Sequence, residues 1–206
     1  MKHFSPVFFI LIFFSASAQK TISPADKNWI DITRLDKNIA IDIRYATINN
    51  FTRAKIYDCG KCYFRPEVAQ AIIKAQKNLQ KKGYGGLKLF DCYRPKLFQQ
   101  RLWAKKPDKN YVTPPWKGSM HSRGSAVDLT LLDAKGNEID MGTPYDTFSD
   151  KAHHDYKDLP KEILAHRQIL RQTLEQVGFI GIRTEWWHFS YKMKQFDLSE
   201  ILWRCE

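Results

Sequence analysis

Two short segments of this chain concentrate side chains able to do chemistry. The first, Ser119-Met120-His121-Ser122-Arg123-Gly124-Ser125-Ala126-Val127-Asp128-Leu129-Thr130-Leu131, has the spacing S-x-H-x-x-G-x-A-x-D, and the second is Glu185-Trp186-Trp187-His188-Phe189-Ser190-Tyr191. His121, Asp128 and His188 make a donor set suited to Zn²⁺, a borderline ion that accepts nitrogen and oxygen, and three protein ligands leave a fourth position open for water. Glu185 is then a spare carboxylate, suited to take a proton from a water whose pKa the ion lowers toward about 7. The set is hydrolytic in character. The competing reading is that these groups satisfy one another's hydrogen bonds in a core, the commoner fate of buried His and Asp.

Those roles place demands on the elements that carry the residues. On a strand near Ser125 to Leu132, Val127, Leu129 and Leu131 share one face and suit a core, which turns Ala126, Asp128 and Thr130 to the other. Gly124 permits a sharp bend, so His121 can fold back toward Asp128, and Ala126 leaves room for it. Glu185 to Tyr191 reads as a last strand in which His188 and Ser190 face the cleft, with Trp187, Phe189 and Tyr191 inward. Strict alternation puts Glu185 on the wrong side, so a twist or bulge must bring it round. Elsewhere, Ile39 to Tyr45 alternates as a half-buried strand, and Pro66 to Lys82 carries Val68, Ile72, Ala75 and Leu79 at helical spacing before Gly83. Leu87 to Phe90 reads as a short strand running into Asp91-Cys92-Tyr93-Arg94-Pro95. Leu97, Phe98 and Leu102 mark a second helix, and Pro160 to Val177 a third, which stops at Gly178. A Pro-rich loop from Pro107 to Gly118 and a polar loop ending near Asp155 border the cleft. Without regular βαβ alternation the fold class is α+β: a single domain with a small central antiparallel or mixed sheet flanked by helices, and a zinc site in a cleft on that sheet.

The chain has 206 residues, 43% hydrophobic and 14% aromatic, which is enough apolar material for one core and excludes disordered, collagen-like and coiled-coil chains. Residues 1–18 read as a signal peptide: Lys2 is followed by the apolar run Val7 to Phe14 and by Ala16-Ser17-Ala18 before Gln19. That run is too short to span a bilayer, which takes about 20 apolar residues. Residues 19–206 are thus expected as an exported domain, periplasmic or secreted, without stable membrane insertion. The net charge of +11 becomes +10 once Lys2 leaves, but the cations are scattered among acids and form no nucleic-acid motif. Nucleic acid is therefore not an expected partner, and anionic wall polymers suit an exported protein better. Cys59, Cys62, Cys92 and Cys205 are even in number in a disulfide-permissive compartment, so structural bridges of open connectivity are expected. Cys59-Gly60-Lys61-Cys62 also has the form of a redox pair or half a zinc clip, but no second CxxC completes a four-sulfur site. Tyr63 to Pro66 also separate it from the next helix, unlike a thioredoxin-type motif.

The segments SMHSRGSAVDLTL and EWWHFSY, with DCYRP upstream and MGTPYDTFSDKAHH between them, resemble the zinc-dependent D-alanyl-D-alanine dipeptidases of the VanX-like family. The resemblance runs from about Ile39 to Tyr191 by element order. It implies one Zn²⁺ per chain held by His121, Asp128 and His188, with Glu185 as catalytic base and Arg94 stabilising the oxyanion. It further implies that Asp146 meets the substrate ammonium and Ser119 its carboxylate end, which selects a small D-amino-acid dipeptide. His153 and His154 receive no role. Cys92 departs from the family, where a small Gly is common; a bridge there would brace Arg94. A zinc D,D-carboxypeptidase trimming peptidoglycan fragments and a non-catalytic wall-binding module are the alternatives. Export would point to turnover or salvage of wall peptides, because a periplasmic enzyme cannot deplete the cytoplasmic dipeptide pool.

Overall fold

The computed structural model describes residues 20–23 and 26–205, so the expected leader lies outside the described residues. In chain order the elements are β1 (Ile30–Asp31), β2 (Ala40–Ile41), β3 (Tyr63–Phe64), α1 (Pro66–Lys81), β4 (Gly86–Asp91), α2 (Lys96–Lys105), β5 (Ala126–Leu132), α3 (Lys161–Glu175), β6 (Phe179–Ile182) and β7 (Glu185–Tyr191). Five strands form one mixed sheet in the order β2-β4-β5-β7-β6, and β1 pairs with β3 as a separate ribbon. Only β2 runs parallel to its neighbour; the other pairings in the sheet are antiparallel. The fold is α+β.

β5 is central and buried along its whole length, because helices cover one face and the cleft loops cover the other. Val127, Leu129 and Leu131 join the core, into which α1 sends Val68, Ile72, Ala75 and Leu79. α1 opens with Pro66 at its first turn, where the missing N–H costs nothing. α1 and α3 pack on each other and on the sheet, α1 against β4 and α3 against β5 and β6. An aspartate on a strand buried this deeply requires polar partners, since an unpaired carboxylate there is costly. Asp128 therefore already marks the other face as a polar site.

One local expectation changes. The strand expected over Ile39 to Tyr45 pairs only through Ala40 and Ile41; Asp42 donates one more bond to the Leu89 carbonyl, 2.9 Å, and the chain then turns as a 3₁₀ helix at Arg44–Ala46. This turn is fixed from outside, as the Tyr45 carbonyl accepts from both Ile56 and Tyr57 backbone N–H groups at 2.9 Å. Cys59 and Cys62 are not partners. Cys59 joins Cys205 and Cys62 joins Cys92, so the CxxC is neither a redox pair nor half a zinc clip. The first bridge fastens the C-terminal tail, whose Trp203 is buried against Tyr57 and Phe98. The second ties the entry of β3 to the exit of β4. No helix among the described residues is long and apolar enough to cross a membrane.

Peptide mapping without reduction should recover linked fragments containing Cys59 with Cys205 and Cys62 with Cys92, and the denatured protein should present no free thiol. A Cys59–Cys62 linked peptide would contradict this connectivity.

Candidate metal centre and active site

Asp128 and His188 face each other across the β5–β7 ladder as directly opposed residues. Antiparallel opposition brings side chains on one face within about 5 Å at Cβ, so the pair meets without any loop to position it. His188 Nδ1 lies 2.8 Å from Asp128 Oδ1, and its Nε2 lies 3.2 Å from Ser190 Oγ. Tyr145 donates its hydroxyl to Asp128 Oδ2 at 2.9 Å, which leaves Oδ1 as the oxygen turned toward the histidines.

His121 reaches the same point from a 3₁₀ turn, His121–Arg123, that precedes β5. The turn closes on Gly124 at φ 71°, a left-handed conformation that glycine adopts without penalty. A Cβ on Gly124 would also lie 2.4 Å from the Trp29 ring. The backbone N–H of Arg94 donates to the His121 carbonyl at 3.1 Å, fastening the turn to the exit of β4. His121 Nδ1 is 2.7 Å from the Cys92 carbonyl. A carbonyl only accepts, so Nδ1 carries the proton and Nε2 presents its lone pair inward. That lone pair is 3.3 Å from Asp128 Oδ1 and 3.2 Å from His188 Nδ1.

Three ligand atoms thus converge from two strands and a turn. Ligands about 2.0–2.1 Å from a tetrahedral Zn²⁺ stand roughly 3.3 Å apart, which matches two of the three separations and slightly exceeds the third. The donor set also fits chemically: a nitrogen lone pair and a carboxylate oxygen point at one another with His188 Nδ1 beside them, an arrangement that a cation relieves. The Ser190 hydroxyl can accept His188 Nε2–H, the tautomer that frees Nδ1 as a ligand.

Glu185 begins β7, and its Oε2 is 4.0 Å from His188 Nδ1. The β6–β7 register supplies the required irregularity: Gly181 opposes Phe189, yet Ile182 opposes Glu185, so β7 carries extra residues between these pairs. The irregularity buries both Trp186 and Trp187 and brings Glu185 into the cleft lining with His188. Burial raises the Glu185 carboxyl above its ordinary value, tempered by His188 and reinforced by Asp128.

Arg94 enters the cleft from the loop after β4 and is held on three sides by residues the sequence reading gave no role. Its Nε is 3.0 Å from the Tyr57 hydroxyl and 3.2 Å from Asp91 Oδ2, its second terminal nitrogen is 2.5 Å from Asp91 Oδ2, and its first is 2.9 Å from Gln99 Oε1. Gln99 in turn donates to the Thr113 carbonyl at 2.6 Å, coupling Arg94 to the Pro-rich loop. Burial opposes the Arg94 charge, but Asp91 outweighs it and keeps the guanidinium protonated. The signal for Asp91 lay in its position three residues before Arg94; Tyr57 and Gln99 carried none.

The cleft has a volume of about 300 Å³ and is lined by His121, Asp128, Glu185, His188, Arg94, Asp146 and Ser119 together with apolar walls from Leu102, Phe148, Ile182 and Trp187. Asp146 holds a left-handed backbone at φ 59°, rare for a residue with a Cβ, and accepts the Tyr45 hydroxyl at 3.0 Å. Burial pushes its carboxyl well above the usual range, and the charges of Asp128 and Glu185 push it further. No cation lies within ion-pair distance of Asp146 among the described residues. Ser119 is partly committed, since its Oγ accepts the Ser122 backbone N–H at 3.2 Å and stands 3.3 Å from Ser122 Oγ. Lys192 adds a cation to the lining. His153 and His154 do not reach the cleft: His153 Nδ1 is 3.1 Å from an Arg183 nitrogen, and His154 packs against Phe189 beside β6.

Relatives cover most of the chain. A D-alanyl-D-alanine dipeptidase of Escherichia coli (strain K12) is 35% identical over 160 residues, covering 78% of this chain and 82% of that protein. One of Enterococcus faecium is 34% identical over 197 residues, covering 82% and 96%. One of Enterococcus faecalis (strain ATCC 700802 / V583) is 35% identical over 170 residues, covering 72% and 83%. Residues 25–200 match the peptidase M15 family, described as D-ala-D-ala dipeptidase. The chain belongs to the D-Ala-D-Ala dipeptidase family of peptidases.

Proposed function

We propose that this protein is a zinc-dependent D-alanyl-D-alanine dipeptidase, exported and acting in turnover or salvage of wall-derived peptides. The observation that carries the reading is the convergence of His121 Nε2, Asp128 Oδ1 and His188 Nδ1 beside the Glu185 carboxylate. These three residues would hold one Zn²⁺, which when bound would supply a Lewis acid able to lower the pKa of a water toward about 7 and to polarise a carbonyl. Glu185 takes the proton of the attacking water and returns it to the leaving amine. Burial raises the basicity of its carboxylate, which favours that exchange. Arg94 has free N–H groups beyond those spent on Asp91, Tyr57 and Gln99, and these meet the oxyanion that develops as the peptide carbonyl is attacked.

Substrate length follows from charge. The Asp146 carboxyl, raised by burial, has no cationic partner among the described residues, and a substrate ammonium supplies one that favours its ionised form. Capping that amine with further residues forfeits the ion pair, a loss that selects a free dipeptide over a longer stem peptide. Ser119, in the cleft lining, offers a hydroxyl for the substrate carboxylate. Export rests on the leader-like residues 1–18 and on two disulfides, which form in oxidising compartments.

The purified enzyme should contain one zinc per chain, lose D-Ala-D-Ala hydrolysis on chelation and regain it with Zn²⁺; activity indifferent to chelation would refute the metal assignment. His121→Ala, Asp128→Ala and His188→Ala should each lower zinc content as well as rate. Glu185→Gln should retain zinc while kcat falls by about 10²–10⁴-fold, the usual worth of a general base. Loss of zinc from that variant would make Glu185 a ligand instead. In side-by-side assays, free D-Ala-D-Ala should be cleaved far faster than a pentapeptide ending in the same two residues, and Asp146→Asn should erode the preference chiefly by raising KM for the dipeptide. Equal cleavage of both substrates by the native enzyme would favour the carboxypeptidase reading.

A further inference from the structure

A second cavity, of about 510 Å³, lies along α3 and shares no lining residue with the cleft. Its walls include His154, Lys157, Arg167, Gln168, Arg171 and Glu175. Arg167 is only 4% exposed, and its hydrogen-bond partners are all neutral: Nε donates to the Met141 carbonyl at 2.7 Å, and the terminal nitrogens donate to those of His153 at 3.1 Å and Lys151 at 2.8 Å. It makes no ion pair with a carboxylate among the described residues. Burial lowers its pKa to about 10, so it remains charged at neutral pH. Arg171 gives its Nε to Glu175 at 2.7 Å, an exposed pair of small worth, and Lys157 is exposed without an ion pair among the described residues. His154 Nε2 is buried with no hydrogen-bond partner. Three cations and one carboxylate therefore line the cavity, and the most buried of the cations, on which Asp140 acts only from beyond ion-pair distance, has no ion-paired carboxylate among the described residues.

We propose that this cavity binds a compact phosphate-type oxyanion. A buried guanidinium without a carboxylate is an incomplete charge arrangement that an anion completes. The donors favour a tetrahedral group over a planar one. Arg167 and Arg171 come from α3, whereas Lys157 comes from the loop before it, so the ligand meets cationic donors from two walls. A carboxylate is satisfied by one guanidinium fork on one side.

The test uses the mature, zinc-loaded enzyme and inorganic phosphate, with sodium chloride adjusted to hold ionic strength constant and acetate as the carboxylate arm. Phosphate should raise Tm saturably, as a ligand of the folded state does, and acetate should raise it much less. The double variant Lys157→Gln/Arg171→Gln, with both sites exposed, should lose the effect while keeping native circular dichroism and zinc content; Lys157→Gln alone should weaken it and serves if the double variant misfolds. A phosphate effect undiminished by the double substitution would show that the anion does not meet donors from both walls of this cavity and overturn the proposal, as would a Tm response no larger than that to chloride. An equal response to acetate would overturn the choice of a tetrahedral ligand.

Discussion

The pairing of β5 with β7 is the constraint on which the site depends. Because Asp128 and His188 are directly opposed in an antiparallel ladder, two of three candidate ligands are set by backbone hydrogen bonds rather than by loop conformation. A one-residue slip of either strand would turn one of these side chains to the helix-covered face and send its apolar neighbours into the cleft. The burial of Val127, Leu129 and Leu131 beneath α1 and α3 makes that slip expensive, so hydrophobic packing on one face fixes ligand geometry on the other.

The third ligand depends on a different device. His121 is brought back by a turn that only glycine closes comfortably, and its ring is aimed by the Cys92 carbonyl. Cys92 is in turn bridged to Cys62, and its backbone N–H donates to Asp91, the residue that grips Arg94. One short segment after β4 thereby orients a candidate ligand and the cationic group opposite it. The interaction partners are mostly buried, where hydrogen bonds and ion pairs act in a low local dielectric and an unmade bond is costly.

Much of this was legible in the sequence, for physical reasons that differ by element. Strand alternation located Asp128 correctly because β5 is regular, and the Gly124 bend was recoverable from residue type. Glu185 defied alternation, and the sequence could only require an irregularity that the β6–β7 register then supplied. The short β6 was missed because Phe179-Ile180-Gly181-Ile182 follows a helix stop and contains a glycine. Ile39 to Tyr45 has strand periodicity, but partners at Ile56 and Tyr57 pull the chain into a turn that delivers Tyr45 to Asp146. The cradle of Arg94 was equally hidden, since Tyr57 lies 37 residues away and Gln99 sits on another element. Contacts of that kind are products of the fold, not of local pattern.

The most direct test of the account is zinc-edge X-ray absorption on the holoenzyme in solution. The spectrum should show a shell of nitrogen and oxygen scatterers at about 2.0–2.1 Å, with outer-shell features of two imidazoles and no sulfur. A sulfur scatterer near about 2.3 Å, or a third imidazole, would contradict a centre built from His121, Asp128 and His188.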